Sequence, residues 1–478
     1  GQAHHGRSYR GRGHNNGPGS SSRREEELNK LVQSIATGTS IAGNCTDSAD
    51  TSKNEAKETP TASPPTTKSA KHLALLFLTI DDLPFEHIWR AWLAGAGCTP
   101  DHDGGRSDGM IVSVLCHAKY PDRVKSEWLK QRLLIDKKRS GNASGDNNAG
   151  GSNKVHYLTR RPEWGSVEIT RAMVDLVEEG LLIGGNDESA NNEAKTDSLD
   201  DRTTTSVRRF VTTSAHVDST GEPLPPVDQF IFVSETCLPV ATLEEVEGTL
   251  FGGGNASDAN AANVASVSSW LKARNSPNNG YARQQQWDRM SRAIPTENIW
   301  KADQWILLIR EHAEAVARAG KGNVSNNGNG NYNGAELWEC FKKTRASDEM
   351  YFPTVLSLLN VIGGDNKRDG TSSESNTDVD LGEKVTNRRI TYCDWSMSAR
   401  NPASFNVLLE GRKAEFPEVV RKAREEGCLF ARKFIAGDIG GPGRSSTGRP
   451  SATADAKNEK FTPEKWMEVV KKCGKKGM

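Results

Sequence analysis

No stretch of this chain reaches the roughly 18–20 consecutive apolar residues needed to cross a bilayer. The longest apolar run, Leu73 to Ile80, has only the length of a strand. Charge of either sign is not in excess. With 62 basic and 62 acidic residues the net charge is zero, so neither nucleic acid nor an acidic membrane surface is expected as a partner. The eight cysteines (45, 98, 116, 237, 340, 393, 428 and 473) include no C-x-x-C pair, which argues against structural zinc. G-x-x-x-x-G-K-S/T and H-E-x-x-H are both missing, which weakens the cases for P-loop NTPases and zincins. Hydrophobic residues make up 35% and mean hydropathy is −0.65. Both are low for one compact body of 478 residues, so much of the chain is expected outside the core.

Residues 1–70 are Gly/His/Arg-rich and then Ser/Thr/Asn/Pro-rich, and read as a disordered, stem-like segment. Similar islands recur near 139–153, 184–206, 252–267, 320–335, 361–387 and 438–459. They read as surface insertions, because buried loops of this composition would leave backbone groups unpaired. The sequons at Asn44, Asn142, Asn255 and Asn323 fall in such stretches, where a glycan is tolerated. The chain starts at Gly1, and a membrane anchor or signal is expected upstream of it.

Ordered blocks lie between the islands. Leu73–Ile80, Met110–Cys116, Phe230–Val233, Gln304–Arg310 and Arg389–Trp395 read as strands. Helical spacing marks Phe85–Leu93, Val167–Leu182, Glu311–Ala319 and Pro353–Val361. The alternation predicts an α/β layer fold with a mostly parallel sheet flanked by helices, carrying long disordered insertions. In such sheets ligands bind at the carboxyl ends of strands, which favours His117, Ser234-Glu235 and Asp394 as positions facing a site.

Two features carry chemistry. Asp348-Glu349 follows Ser347, read as a helix N-cap. Acids in a first turn can simply complement the helix dipole; the aromatic and apolar residues that follow favour an enclosed position. Arg432-Lys433 lies between Phe430 and Phe434, either as a strand edge or as a cationic pair for a phosphate. Trp300-Lys301 and Gln304-Trp305 are core tryptophans with a charged rim, or a floor for a sugar ring. The D-x-D strings Asp101-His102-Asp103 and Asp378-Val379-Asp380 sit in polar loops without a preceding strand, so no metal is expected there.

In order, the blocks resemble the core-2/I-branching β-1,6-N-acetylglucosaminyltransferase family, especially its plant-type members, and share features with peptide O-xylosyltransferases. The resemblance runs through Leu75–Thr79 with Leu83-Pro84 and Ile88-Trp89, then Val114–His117 and Glu163-Trp164-Gly165-Ser166-Val167. It continues through Phe232–Pro239, Trp300-Lys301 with Gln304-Trp305, Asp348-Glu349 with Tyr351 and Pro353-Thr354, Thr391–Ser396 with Pro402, and Phe430–Phe434. One departure is Ala302-Asp303, where the family usually has Gly-Ser before Gln-Trp.

The resemblance implies a GT-A-like domain over 71–437 and a low-complexity tail with a short helix over 438–478. It implies a type II Golgi membrane protein with a luminal catalytic domain. The reaction implied is inverting transfer from a UDP-sugar to a glycan or glycoprotein hydroxyl, without metal or other cofactor. UDP-xylose or UDP-glucuronic acid as donor, or a non-catalytic carbohydrate-binding role, are the alternatives. By motif position Glu349 is the catalytic base. Lys433, Arg432, Arg389, His117, Trp164 and Gly165 are expected at the nucleotide sugar. Trp300, Lys301, Gln304, Trp305 and Asp348 are expected at the acceptor. Cys237, Cys340, Cys393 and Cys428 lie within the matching blocks and are candidates for disulfides of unassigned pairing.

Overall fold

A computed structural model describes residues 71–94, 110–136, 155–163, 165–184, 210–212, 224–252, 267–275, 294, 296–321, 337–342, 344, 346–363, 381–382, 384–396, 401–407, 415–435 and 461–474. Trp164, both D-x-D strings, the four sequons, Cys45 and Cys98 lie outside these residues.

The strands used below are β1 (Lys71–Thr79), β2 (Met110–Ala118), β3 (Gln229–Ser234), β4 (Leu238–Pro239), β5 (Ser269–Trp270), β6 (Leu307–Ile309), β7 (Val385–Thr386), β8 (Thr391–Cys393), β9 (Phe405–Asn406), β10 (Phe430–Arg432) and β11 (Phe434–Ile435). The helices are α1 (Glu86–Ala94), α2 (Val167–Leu182), α3 (Arg310–Lys321), α4 (Ser347–Leu358), α5 (Phe416–Glu425) and α6 (Pro463–Gly474). The central sheet has six strands in the order β2-β1-β3-β6-β5-β7. β1 pairs parallel with β2 and β3, and β5 with β7. The short β6 runs antiparallel to both its neighbours. A smaller sheet sets β10 between parallel β8 and antiparallel β4. Beside it β9 and β11 pair in parallel.

β1 shows why this chain makes a two-sided sheet. Its side chains alternate between faces, and both faces are apolar. Leu73, Leu75 and Phe77 join one core with Trp89, Trp92 and Phe430. Ala74 and Leu76 join the other with Phe230, Phe232, Met173 and Phe352. The apolar stripe of α2 supplies Met173, Leu176 and Val177 to this second core.

Several elements differ from expectation. The Gln304–Arg310 block contains a strand only at Leu307–Ile309, and Arg310 already begins α3. Arg389–Trp395 is extended as a strand only over Thr391–Cys393. The 361–387 island is not wholly a surface insertion: Leu381 and Val385 are buried, and Val385–Thr386 is an edge strand of the central sheet. The helix expected after Ser347 and the Pro353–Val361 block are one element: α4 begins at Ser347 and carries Pro353 inside it.

α6 packs against α1 and α5. Its Trp466 is completely buried in the same core as β1 and β10, and the indole N–H donates to the Pro239 carbonyl at 3.0 Å. Phe461, just before α6, meets Phe85 and Phe416 edge-on. The packed body therefore extends past residue 437. Trp466→Ala should lower unfolding free energy by about 3–5 kcal/mol, measured by urea denaturation; an unchanged midpoint would mean that α6 is only peripherally attached.

Candidate active site

α4 does not begin at a conventional cap. The N-cap is Ala346, held in the left-handed region at φ 55°, with no side-chain cap bond. Ser347, expected as the cap, is instead the first helical residue. Its hydroxyl is spent on Thr170 Oγ1 at 2.7 Å and on the Ser166 carbonyl at 3.3 Å. The Ala346 N–H donates to the Gly165 carbonyl at 3.1 Å. Gly165 itself has φ 72°, a conformation with no penalty for glycine. The start of α4 thus rests on the start of α2, and the acidic doublet is fixed against both.

Pro353 then does something its sequence position conceals. A proline has no N–H, so it leaves the carbonyl four residues earlier without a helical partner. That carbonyl belongs to Glu349, and the Ala302 N–H donates to it at 2.8 Å. The next residue completes the tie: Thr354 Oγ1 accepts from the Trp300 N–H and donates to the Trp300 carbonyl, both at 3.2 Å. On its other edge the segment makes a two-way bridge between Lys301 and Arg274. Lys301 is thereby delivered to Glu349, with Nζ 3.0 Å from Oε2 and side chains only 12% and 17% exposed.

The electrostatics follow from enclosure. Burial raises the Glu349 carboxyl above its ordinary range, opposed mainly by the Lys301 cation. Burial also pushes Asp348 up to about 7, aided by the Glu349 charge and opposed by Arg432. Asp348 Oδ1 and Arg432 Nε are both enclosed without a hydrogen-bond partner. The Arg432 guanidinium lies over the Trp305 ring at 4.7 Å. Its charge also acts on Glu235, just after β3, whose carboxyl is raised by burial and drawn back by Arg432 and Lys433. Arg432 therefore links the doublet of α4 to the carboxyl ends of β3 and β10.

Lys433 lies between β10 and β11. Its carbonyl accepts from the Phe405 N–H at 2.8 Å, and the following Phe434 N–H donates to Thr236 O at 2.9 Å. Arg389 sits with Asp303 (Nε to Oδ2, 2.6 Å) and Glu426 (3.7 Å), so its charge is already balanced. His117 is buried and accepts from the Arg160 N–H at 3.3 Å. Burial and the Arg160 cation lower it to about 4, which leaves the ring neutral at physiological pH. It orders the segment before Gly165, together with Arg160 held by Asp175 and Glu168.

Neither tryptophan presents an open ring face. Trp300 is 3% exposed, with its N–H on the Glu297 carbonyl and its ring on Gly363, where a Cβ would approach to 2.9 Å. Trp305 is 6% exposed beneath Arg432. Gln304 lies half-buried in the turn between them. Asp394 caps its own turn through Ser396. Of the candidates for disulfides, Cys237, Cys393 and Cys428 are free thiols, as is Cys116. Among the described residues no His/Cys/Asp/Glu group is arranged to hold a metal. Two further residues act on Glu349: Asp303, which stands out in the sequence only as part of the Ala302-Asp303 departure, and Arg274, which lies in no motif.

Comparison with known proteins finds a match to the family model described as Core-2/I-Branching enzyme, over residues 224–417. No curated protein matches the chain. The matched stretch holds Glu235, Lys301, Asp348-Glu349 and Arg389; it ends before Arg432-Lys433.

The enclosed Asp348 predicts a pH dependence. Its folded value lies above the unfolded one, so the folded state holds the proton more tightly. The associated stability is complete below about pH 4 and is lost as pH rises towards about 7. Asp348→Asn should remove that decline, leaving the variant more stable than the parent by a few kcal/mol at pH 7. Parallel stability–pH curves for the two proteins would contradict the enclosure.

Proposed function

We propose that this chain, which belongs to the core-2/I-branching enzyme family through residues 224–417, transfers N-acetylglucosamine from UDP to a hydroxyl of a glycan or glycoprotein. The family is one of glycosyltransferases that use a nucleotide-sugar donor and a glycan acceptor. The reading is supported above all by the enclosed Glu349 carboxylate, linked through Asp348 to the cation Arg432 at the carboxyl end of β10.

The chemistry needs both ends. A sugar hydroxyl is a weak nucleophile at neutral pH, and Glu349 accepts its proton as the oxygen attacks the anomeric carbon. Attack comes from the side opposite the phosphate, so configuration inverts. The bond from the anomeric carbon to the phosphate oxygen breaks, and UDP leaves with the electron pair. Arg432 and Lys433 stabilise the charge that gathers on the diphosphate. The raised proton affinity of Glu349 suits a base, and the Lys301 cation opposes the rise. The cations take the part that a divalent metal plays in other nucleotide-sugar transferases. The setting we propose is the Golgi lumen, with a membrane anchor outside the described residues; among those residues no helix is long and apolar enough to cross a membrane.

Glu349→Gln should cut transfer by about 10²–10⁴-fold and leave UDP affinity nearly intact. Lys433→Ala should weaken UDP binding measured by calorimetry. A hydrolysis screen over UDP-N-acetylglucosamine, UDP-xylose and UDP-glucuronic acid should favour the first. Turnover of none of them would support a non-catalytic carbohydrate-binding role. Activity should persist in EDTA, and loss restored by manganese would contradict the metal-free mechanism.

A further inference from the structure

We propose that Lys301 is a positioning residue for the base: it clamps one carboxylate oxygen of Glu349 and leaves the other for the incoming hydroxyl. The proposal rests on the transferase reading, and deepens it. It starts from three constraints that meet at one residue. Ala302 is hydrogen-bonded to the Glu349 carbonyl that Pro353 releases, Trp300 is bracketed by Thr354, and Lys301 is bridged to Arg274. A lysine is long and flexible, and a loose one would sample many rotamers. Here its backbone is anchored on both sides, so the ammonium group is carried to one place.

That place is one oxygen of Glu349. Oε2 is fully enclosed and lies 3.0 Å from Nζ. The contact is an ion pair of two largely buried side chains. Oε1 is the oxygen left to take a proton. The remaining charges around Glu349 come from every packed element: Asp348 on its own helix, Asp303 on the Lys301 segment, and Arg274 across the bridge. Asp303 is itself balanced by Arg389. Removing Lys301 therefore leaves two carboxylates facing Glu349 with Arg274 as the nearby cation. The carboxylate then both wanders and holds its proton to higher pH.

Lys301→Met, Lys301→Arg and the double variant Lys301→Met/Glu349→Gln test this, with hydrolysis of UDP-N-acetylglucosamine by water as the reaction. Lys301→Met should lower the rate by about 10²-fold and move the acid limb of the pH–rate profile up by about one pH unit. UDP affinity should stay unchanged. Lys301→Arg keeps the charge, so it should keep the acid limb in place and restore part of the rate. Melting temperatures give a readout that needs no activity. Lys301→Met should melt several degrees below the parent, and adding Glu349→Gln should recover part of the loss, because no carboxylate is then left buried without its cation. An unmoved acid limb, or melting shifts that simply add, would overturn the positioning role. Failure of the parent to hydrolyse any UDP-sugar would instead refute the transferase reading, and the melting cycle would still decide the Lys301–Glu349 coupling.

Discussion

Burying a carboxylate is costly unless a cation or a proton compensates it, and at the start of α4 two are buried side by side. The site is organised around that constraint. Asp348 is compensated chiefly by taking up a proton, Glu349 by Lys301. The two adjacent acids are therefore compensated in different ways. Such a division between neighbouring acids recurs wherever environment sets one carboxyl apart from another.

The backbone around the pair explains how the arrangement is held. Helix termini leave groups that other elements must satisfy. Here the start of α4 is tied to Gly165 and Ser166, just before α2, through the Ala346 N–H and the Ser347 hydroxyl. Pro353 adds one more free carbonyl, in the middle of the helix, and that carbonyl anchors the Trp300–Ala302 segment. A residue that normally breaks a helix serves as a docking point, and the free energy lost inside α4 is returned by a bond to another part of the chain.

Much of the scaffold could be read directly from the sequence, for a physical reason: β1 and β2 are continuous apolar runs buried on both faces, and α2 carries an apolar helical stripe. Val167–Leu182 matches its helix end to end. What could not be read depends on distant partners. Pro353 sits inside a helix, and its place there makes sense only once Ala302 is known to occupy the carbonyl it frees. Ser347 looks like a cap until Thr170 is seen to hold its hydroxyl. β5, β6 and β7 are two or three residues long, too short to carry a period. Trp466 gave no signal, because its partner Pro239 is more than two hundred residues away. At the site, Glu349 and Lys433 stood out as charges within apolar frames. Asp303 and Arg274 matter only through where the fold puts them.

The central claim is spatial: the base on α4 and the cations at the end of β10 serve opposite ends of one bond. A crystal structure of the protein with UDP bound tests it most directly. The diphosphate should lie against Arg432 and Lys433, with the Glu349 carboxylate across the position where the donor's sugar would sit. Diphosphate bound elsewhere, or Glu349 turned away from it behind the α4 backbone, would contradict the account.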